Sequence, residues 1–206
     1  MQLNTDKTKE MNICFGKRPP TFDPVKIDGR KIGHVENFKL LGVVINNKLT
    51  WHDHIDYICG KASQRIYFLI LLKRAGKHAS DIVQVYISKI RSVLEYACEV
   101  WHPGLTQEQS DMLEHIQKRA LHVAYPDKDY VEALAVSELY TLKERREVQC
   151  KKFFQNMTDD SHKLNHLLPK KRNVPTLRTT RMYETPRTRT DRLKNSPVNY
   201  GLFKFQ

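Results

Sequence analysis

Apolar residues recur every three or four positions after Thr50, the spacing that places side chains on one face of an α-helix. Thr50 is expected to cap the first helix with Asp53 as its reciprocal partner, and Gly76 is expected to end it. The segment Thr106–Gln109 has the pattern of another capping box. The predicted helices run from Trp51 to Gly76, from Ser80 to just before Pro103, from Thr106 to Pro126, from Asp129 to Val136 and from about Thr141 to Met157. The pattern therefore predicts a bundle of four or five helices.

The first 50 residues instead show the alternation and turn residues of short β-strands. Val25–Ile32 predicts a hairpin, because Asp28 and Gly29 suit the positive φ angles of a two-residue type I′ turn. Phe38–Ile45 is rich in apolar and β-branched residues, and it predicts one buried strand with Gly42 at a bulge or a close backbone approach. This part of the chain is predicted to be a small β region.

Beyond Pro169 the periodic pattern is lost. Basic residues alternate there with threonine and proline, and apolar residues are too sparse to offset the entropy lost on ordering the chain. Residues 169–206 are therefore predicted to form a mostly disordered basic tail. The predicted fold is α+β and mostly α: a β region over residues 1–50, a helical domain over residues 51–168, and the tail.

The charge of the chain favours a polyanionic partner. Its 206 residues include 35 Lys and Arg against 23 Asp and Glu, a net charge of +12. This excess indicates nucleic acid before an anionic membrane. Residues 161–206 carry 11 basic and 2 acidic residues, so most of the excess lies in the predicted tail. The predicted folded part is close to neutral.

Several classes of protein are excluded by composition. The longest apolar run has seven residues, Ile66–Leu72, whereas a membrane span needs about 20, and the first residues lack the apolar core of a signal peptide. The four cysteines include no CxxC pair, which disfavours a structural zinc site. We therefore expect reduced thiols and an intracellular protein, cytoplasmic or nuclear.

The segment His52–Asp56 has spacings similar to those of metal sites in zinc hydrolases and in 2-oxoglutarate dioxygenases. Both sites require further ligands, and Tyr57 stands where the hydrolase pattern needs a histidine. Acidic residues in the first turn of a helix complement its dipole. We therefore interpret the segment as a helix start and predict no metal site.

Several predicted helices contain pairs of adjacent basic residues. Glu144–Glu147 places two arginines between acids, a pattern more typical of an ion-paired helix face than of a phosphate contact. The same two interpretations, an ion-paired helix face and a phosphate contact, remain open for Lys73-Arg74 and Lys118-Arg119. Trp51 and Trp101 are predicted to anchor the core rather than to stack on bases.

Six separated blocks, taken in order, resemble the C-terminal part of the reverse transcriptases of non-LTR retrotransposons, the LINE-type elements. The blocks are Leu3–Met11, Phe38–Val43, Leu49–Ile55, Tyr86–Tyr96 with Trp101, Leu113–Ala120 and Leu142–Arg146. The resemblance implies that the first block is a palm motif, that the second is the hairpin gripping the primer end, and that the helices form the thumb. It covers about residues 2–170.

The resemblance also implies which functions to expect. Lys7 matches the palm lysine that assists departure of pyrophosphate, while the aspartates that hold Mg²⁺ in the family have no counterpart in these blocks and are expected upstream of Met1. We thus expect a truncated, non-catalytic remnant that needs no cofactor or small-molecule substrate, avoids membranes and binds the backbone of RNA or an RNA–DNA duplex. The candidate binding residues are Lys7, Lys9, Lys73, Arg74, Lys118, Arg119, Arg145, Arg146, Lys170, Lys171 and Arg172.

Two alternatives stand beside this interpretation. The first 40 or so residues are also similar to a short N-terminal region grouped with AlkB-type alkylated-DNA repair homologues. That resemblance implies dioxygenase and methyltransferase activity on tRNA or DNA, although the chain shows neither a barrel-length β pattern nor a glycine-rich loop for a methyl donor. The other alternative is an expressed fragment without function, which would aggregate through exposed apolar surface.

Overall fold

The structure of the protein, a computed structural model, describes residues 4, 7–16, 20–172 and 181–206. More than half of these residues are helical and the strands are short, so the predicted mostly α fold is confirmed. The chain divides into two compact units, Met1–Tyr57 and Ile58–Gln206. The three-part division at residues 50 and 168 stays a prediction. Within the described ranges, no helix is both long and apolar enough to cross a membrane.

The first unit contains short paired strands. They are β1 (Lys9–Glu10), β2 (Lys26–Ile27), β3 (Arg30–Lys31), β4 (Gly33–His34), β5 (Asn37–Leu40) and β6 (Val43–Asn46). β1 pairs with β4 in parallel, whereas β2–β3 and β5–β6 are antiparallel hairpins. The turn of the first hairpin is confirmed, since Asp28 and Gly29 have φ angles of 49° and 77°.

The prediction of one buried strand over 38–45 is wrong. The segment folds into the β5–β6 hairpin, because Leu41 and Gly42 take φ angles of 46° and 89° and reverse the chain. β5 is exposed along its length, and 84% of Leu41 is accessible to solvent. The apolar run thus marks a hairpin with an exposed tip.

Helices follow from residue 52 onward. They are α1 (His52–Arg74), α2 (Ala79–Val85), α3 (Ser92–Leu94), α4 (Cys98–Trp101), α5 (Gln107–Ala124), α6 (Tyr130–Ser137), α7 (Leu142–Met157), α8 (Asp191–Lys194) and α9 (Pro197–Lys204), with a π-helix over Tyr86–Arg91 and 3₁₀ turns over His102–Gly104 and Asn165–Leu167. The capping box of Thr106 and Gln109 is confirmed, and Gly76 follows α1 with a φ of 74°. These local signals place the helix ends.

The hydrogen bonds at the start of α1 differ from the predicted reciprocal cap. The side-chain amide of Asn46 donates hydrogen bonds to Thr50 Oγ1 (2.8 Å) and to Asp53 Oδ2 (2.9 Å), and its oxygen accepts one from the Thr50 amide (2.9 Å). Asn46 therefore joins the two residues that were predicted to cap the helix reciprocally. Helix α1 begins at His52, which confirms the helix-start interpretation of His52–Asp56.

The second predicted helix is broken into several pieces. After α2 the chain forms the π-helix, where the guanidinium of Arg65 donates to the Lys89 carbonyl and Ser92 Oγ to the Ser88 carbonyl (2.8 Å). Such donors compete for carbonyls that would otherwise accept α-helical bonds. Ala97 then takes a φ of 51° and ends this run before α4. The apolar spacing alone does not reveal this irregularity.

The helices of the second unit bury a continuous apolar face. The side chains with no accessible surface include Leu69, Ile82, Ile90, Leu94, Trp101, Leu113 and Leu142. Each apolar side chain of this size removed from water contributes about 1.5 to 3 kcal/mol. Trp101 is thus confirmed as a core anchor, while Trp51 in the first unit is half-buried.

The C-terminal segment differs from the predicted disordered tail. Residues 181–206 include α8 and α9, and Leu202 and Tyr183 are buried against Phe154 of α7. The reason is local apolar spacing: Val198, Leu202 and Phe205 recur at steps of four and three, which gives α9 an apolar face. Residues 173–180 of the predicted tail lie outside the described residues.

Candidate nucleic-acid interface

Four predicted binding residues lie on two helices whose C-terminal ends meet. Lys73 and Arg74 occupy the last turn of α1, and Lys118 and Arg119 lie on α5; all four side chains are exposed. Lys73 Nζ donates a hydrogen bond to the carbonyl of Ala124, the last residue of α5, at 3.2 Å. We call Lys73, Arg74, Lys118 and Arg119 the terminal basic cluster.

Helix geometry limits the distance of Arg119 from the joined helix ends. Arg119 precedes Ala124 by five residues, about 8 Å along the helix axis at 1.5 Å per residue. Cations in the last turn of a helix are favoured by its dipole, and this applies to Lys73 and Arg74 of α1, whereas Lys118 and Arg119 lie more than one turn before the end of α5. An ammonium has three donors, and the bond from Lys73 to Ala124 uses one of them.

A groove of about 630 Å³ lies between α1 and α5. Cys59 and Ser63 line it from α1, and Glu108, Asp111 and Arg119 are among its lining residues on α5. The acidic residues lie near the start of α5, whereas Arg119 lies toward its end. The groove therefore has an acidic end near the start of α5 and a basic end at Arg119.

Arg145 is held in an ion pair within the protein. Its Nε and Nη2 atoms donate to the two carboxylate oxygens of Glu95 at 2.7 and 3.0 Å. These bonds raise the pKa of Arg145, and Arg91 lies 3.8 Å from the same carboxylate. Arg145 is thus ion-paired, but its partner Glu95 lies outside α7 and is not one of the acids beside it in the sequence.

Arg146 is buried, and its assignment as a nucleic-acid contact is wrong. Its side chain has no accessible surface. Nε donates to His102 Nδ1 at 3.3 Å, Nη2 donates to Ser110 Oγ at 3.0 Å, and the guanidinium lies 5.9 Å from the Trp101 ring centroid. Burial lowers the pKa of Arg146. A guanidinium in this position cannot reach a phosphate, but it joins α4, α5 and α7.

The contacts of Arg146 also fix the tautomer of His102. Because the arginine Nε can only donate, Nδ1 of His102 accepts, and its Nε2 carries the proton and donates to Glu147 at 3.3 Å. Glu147 also accepts hydrogen bonds from Tyr200 (2.8 Å) and is paired with Lys204, both in α9. Burial raises the pKa of Glu147, but the bonds from Lys204 and Tyr200 outweigh it and leave that pKa below the ordinary value.

Stability should fall as the pH drops from about 6.5 towards 4. Burial, together with Arg146, lowers the pKa of His102 to about 4, and burial lowers that of His54 to about 4. Since the unfolded chain then takes up protons that the folded chain refuses, each histidine should cost roughly 1.5 kcal/mol between pH 6.5 and 5. Urea unfolding at several pH values measures this slope.

Histidine variants test the origin of that slope. His102→Gln should be less stable at neutral pH yet lose about half of the acid dependence, and His54→Gln should lose the other half. A slope that is unchanged in both variants would contradict the assignment.

The remaining predicted residues lie away from the terminal basic cluster in sequence and have contacts of their own. Lys7 and Lys9 are exposed in the first unit, where the Lys9 side chain lies across Gly33. Lys171 pairs with Asp160 at 2.8 Å. The segment Lys170–Arg172 is exposed as well, and the Arg172 amide donates to the Met182 carbonyl at 2.9 Å.

The sequence analysis missed the exposed face of α1. Lys61, Tyr67 and Phe68 are exposed on this helix, and none of them was singled out. The sequence does contain a signal for a basic surface on this helix, because no acidic residue occurs between Asp56 and Asp81. Among the described residues, no group of three or more His, Cys, Asp or Glu side chains is arranged to hold a metal ion.

Comparison with known proteins gives one distant match. No protein-family model matches the chain, and no solved structure matches it. Over 101 residues it is 23% identical to a protein of Drosophila melanogaster described as a probable RNA-directed DNA polymerase from transposon X-element. The match covers 48% of this chain, which spans only 11% of the polymerase. The AlkB-type resemblance stays a prediction. The chain is distantly similar, over about half of its length, to a transposon reverse transcriptase.

Proposed function

We propose that this protein binds the phosphate backbone of an RNA or RNA–DNA duplex through the terminal basic cluster, in the manner of the thumb of a LINE-type reverse transcriptase. The observation that carries the proposal is the meeting of the C-terminal ends of α1 and α5, joined by the bond from Lys73 to Ala124, on two helices that each carry a pair of exposed basic residues. The distant similarity to a transposon RNA-directed DNA polymerase supports the choice of nucleic acid as the partner.

The chemistry of the cluster suits a backbone rather than a base sequence. Phosphate contacts by Lys and Arg hold a duplex without reading its bases. Each contact releases condensed counterions, so binding should weaken steeply with salt. Arg145 and Arg146 are not part of this surface because their guanidinium groups are held within the protein.

Removing the charges of the cluster should weaken duplex binding. We expect the variant with Lys73, Arg74, Lys118 and Arg119 all changed to Gln to lose at least tenfold in affinity for a blunt RNA–DNA duplex at low salt. The slope of log affinity against log salt should fall by about 3 to 4, close to 0.9 per phosphate contact. Fluorescence anisotropy at several salt concentrations measures both quantities.

A matched variant separates the cluster from general charge. Lys48, Lys151, Lys163 and Lys194 are also exposed, and changing all four to Gln removes the same total charge. This control should retain most of the affinity and salt slope. Equal losses in the two variants would overturn the proposal, because binding would then depend only on net charge.

The proposal includes no polymerisation by this chain alone. Two-metal phosphoryl transfer needs carboxylates that hold both ions, and the proposed role rests on cations instead. Incubation of the full chain with primer–template, nucleotides and Mg²⁺ should give no incorporation. Incorporation that survives the loss of the cluster would show a catalytic site elsewhere in the chain.

A further inference from the structure

Helix α1 exposes two neighbouring aromatic rings. Tyr67 and Phe68 are 57% and 59% accessible, and their ring centroids lie 6.4 Å apart with the planes tilted by 59°. Leu71, one turn further on, is also exposed, while Ile66 and Leu69 of the same helix are buried in the core. The helix thus has one face that is packed in the protein and a second apolar face that meets solvent.

This aromatic face lies within a stretch of purely positive charge. Residues 57–80 contain five Lys or Arg and no Asp or Glu. Lys61 and Arg74 are exposed on either side of the rings, each six residues away and therefore about 9 Å along the axis. Gln64 lies between Lys61 and the rings on the exposed side of the helix.

We propose that Tyr67 and Phe68 stack on unpaired bases of a nucleic-acid strand, whose phosphates are held by Lys61 and Arg74. The proposal extends the proposed function, on which it rests for the adjoining duplex. Arg74 of the terminal basic cluster lies seven residues, or about two turns, beyond Tyr67 and therefore on the same side of the helix, so one strand can pass from the rings to the cluster. The preferred ligand is then a duplex with a single-stranded overhang.

The charge around the rings favours bases over other occupants. Base–aromatic stacking tolerates any base, and cations beside the rings are the usual complement to a strand backbone. Two copies of this face would bring like charges together and repel each other. A basic helix with exposed aromatic and leucine side chains can also lie on an anionic membrane, so the test includes vesicles.

The test compares one duplex in two forms with the full chain. The probes are a labelled blunt RNA–DNA duplex and the same duplex with a short single-stranded overhang. The wild-type protein should bind the overhang form about tenfold more tightly, as expected for stacking of one or two bases. The double variant Tyr67→Ala/Phe68→Ala should lose this preference and keep its affinity for the blunt duplex.

Two further variants keep the result interpretable. The swap Tyr67→Phe/Phe68→Tyr preserves both rings and should preserve the preference. Tyr140→Ala removes a tyrosine that is 69% exposed elsewhere, and it should have no effect. Because the altered rings are largely exposed, circular dichroism and the thermal midpoint should match those of the wild type.

Several outcomes would overturn the inference. It fails if the wild type shows no preference, if the alanine double variant retains it, or if the variant loses affinity for both probes equally. It also fails if the rings are needed for dimerisation or for binding phosphatidylserine vesicles while the overhang preference is unchanged.

The proposed function can fail separately. In that case the Gln variant of the cluster would bind the blunt duplex as well as the wild type does, whatever the overhang result.

Discussion

Replacement of Arg146 by alanine should destabilise the second unit by about 3 to 5 kcal/mol, the range for breaking a buried charged hydrogen-bond network. The variant loses the donors to His102 and Ser110, and it leaves a cavity beside the Trp101 ring. Urea unfolding followed by circular dichroism measures the change in the free energy of unfolding. Lys151→Ala, an exposed change on the same helix, should stay within about 0.5 kcal/mol.

Replacement of Arg146 by methionine should cost much less than replacement by alanine. Nη1 of Arg146 makes no hydrogen bond within the described residues, so the buried cation is incompletely satisfied. Methionine fills much of the volume and removes the desolvated charge, and such exchanges are often nearly neutral. It should also raise the pKa of His102 and reduce the loss of stability in acid, because Arg146 lowers that pKa. Equal losses for alanine and methionine would contradict this account.

Local signals in the sequence were sufficient to predict the type and position of many helices and turns. The capping box at Thr106 and the turn at Asp28-Gly29 depend on contacts between residues at most four positions apart. Helices with apolar positions at steps of three and four were therefore placed nearly where they occur. The basic pairs Lys73-Arg74 and Lys118-Arg119 were also visible, but the meeting of their helix ends is a long-range contact.

The two neighbouring arginines show where local reasoning stops. Arg145 and Arg146 look alike in sequence, yet one pairs with Glu95 and the other is buried beside Trp101. A partial signal was available, since position 146 is four residues after the buried Leu142. The polar partners that Arg146 meets on the buried side of α7 come from other elements of the fold, so the sequence around position 146 does not reveal them.

Two other features depend on contacts that no short window contains. Leu41 takes a positive φ, which is unfavourable for a leucine, so the turn there has no sequence rule behind it. Helix α9 is held by Phe154 and by Glu147, some 50 residues earlier in the chain. The disorder predicted for residues 169–206 was based on their low average apolar density, and that average does not reveal the local apolar face of α9.

Replacement of Gly201 by alanine should destabilise the docking of α9 by about 3 kcal/mol, at the upper end of the range for overpacking. A Cβ atom at position 201 would lie 2.1 Å from Cδ2 of Phe154 and 2.5 Å from its Cγ. The Phe154 ring is itself buried, so it has little room to move away. Urea unfolding and limited proteolysis of the C-terminal segment measure the loss.

Gly60→Ala provides a matched control with the opposite expected sign. Gly60 lies inside α1, and a Cβ atom there would meet nothing within 4 Å. Alanine should therefore stabilise the protein by about 0.5 to 1 kcal/mol, through helix propensity alone. Because Gly201 is also helical, its alanine variant gains the same propensity, and the net loss understates the cost of the collision with Phe154 by that amount. Phe154→Leu should recover part of that loss in a double-mutant cycle, whereas an unchanged loss would place the strain elsewhere.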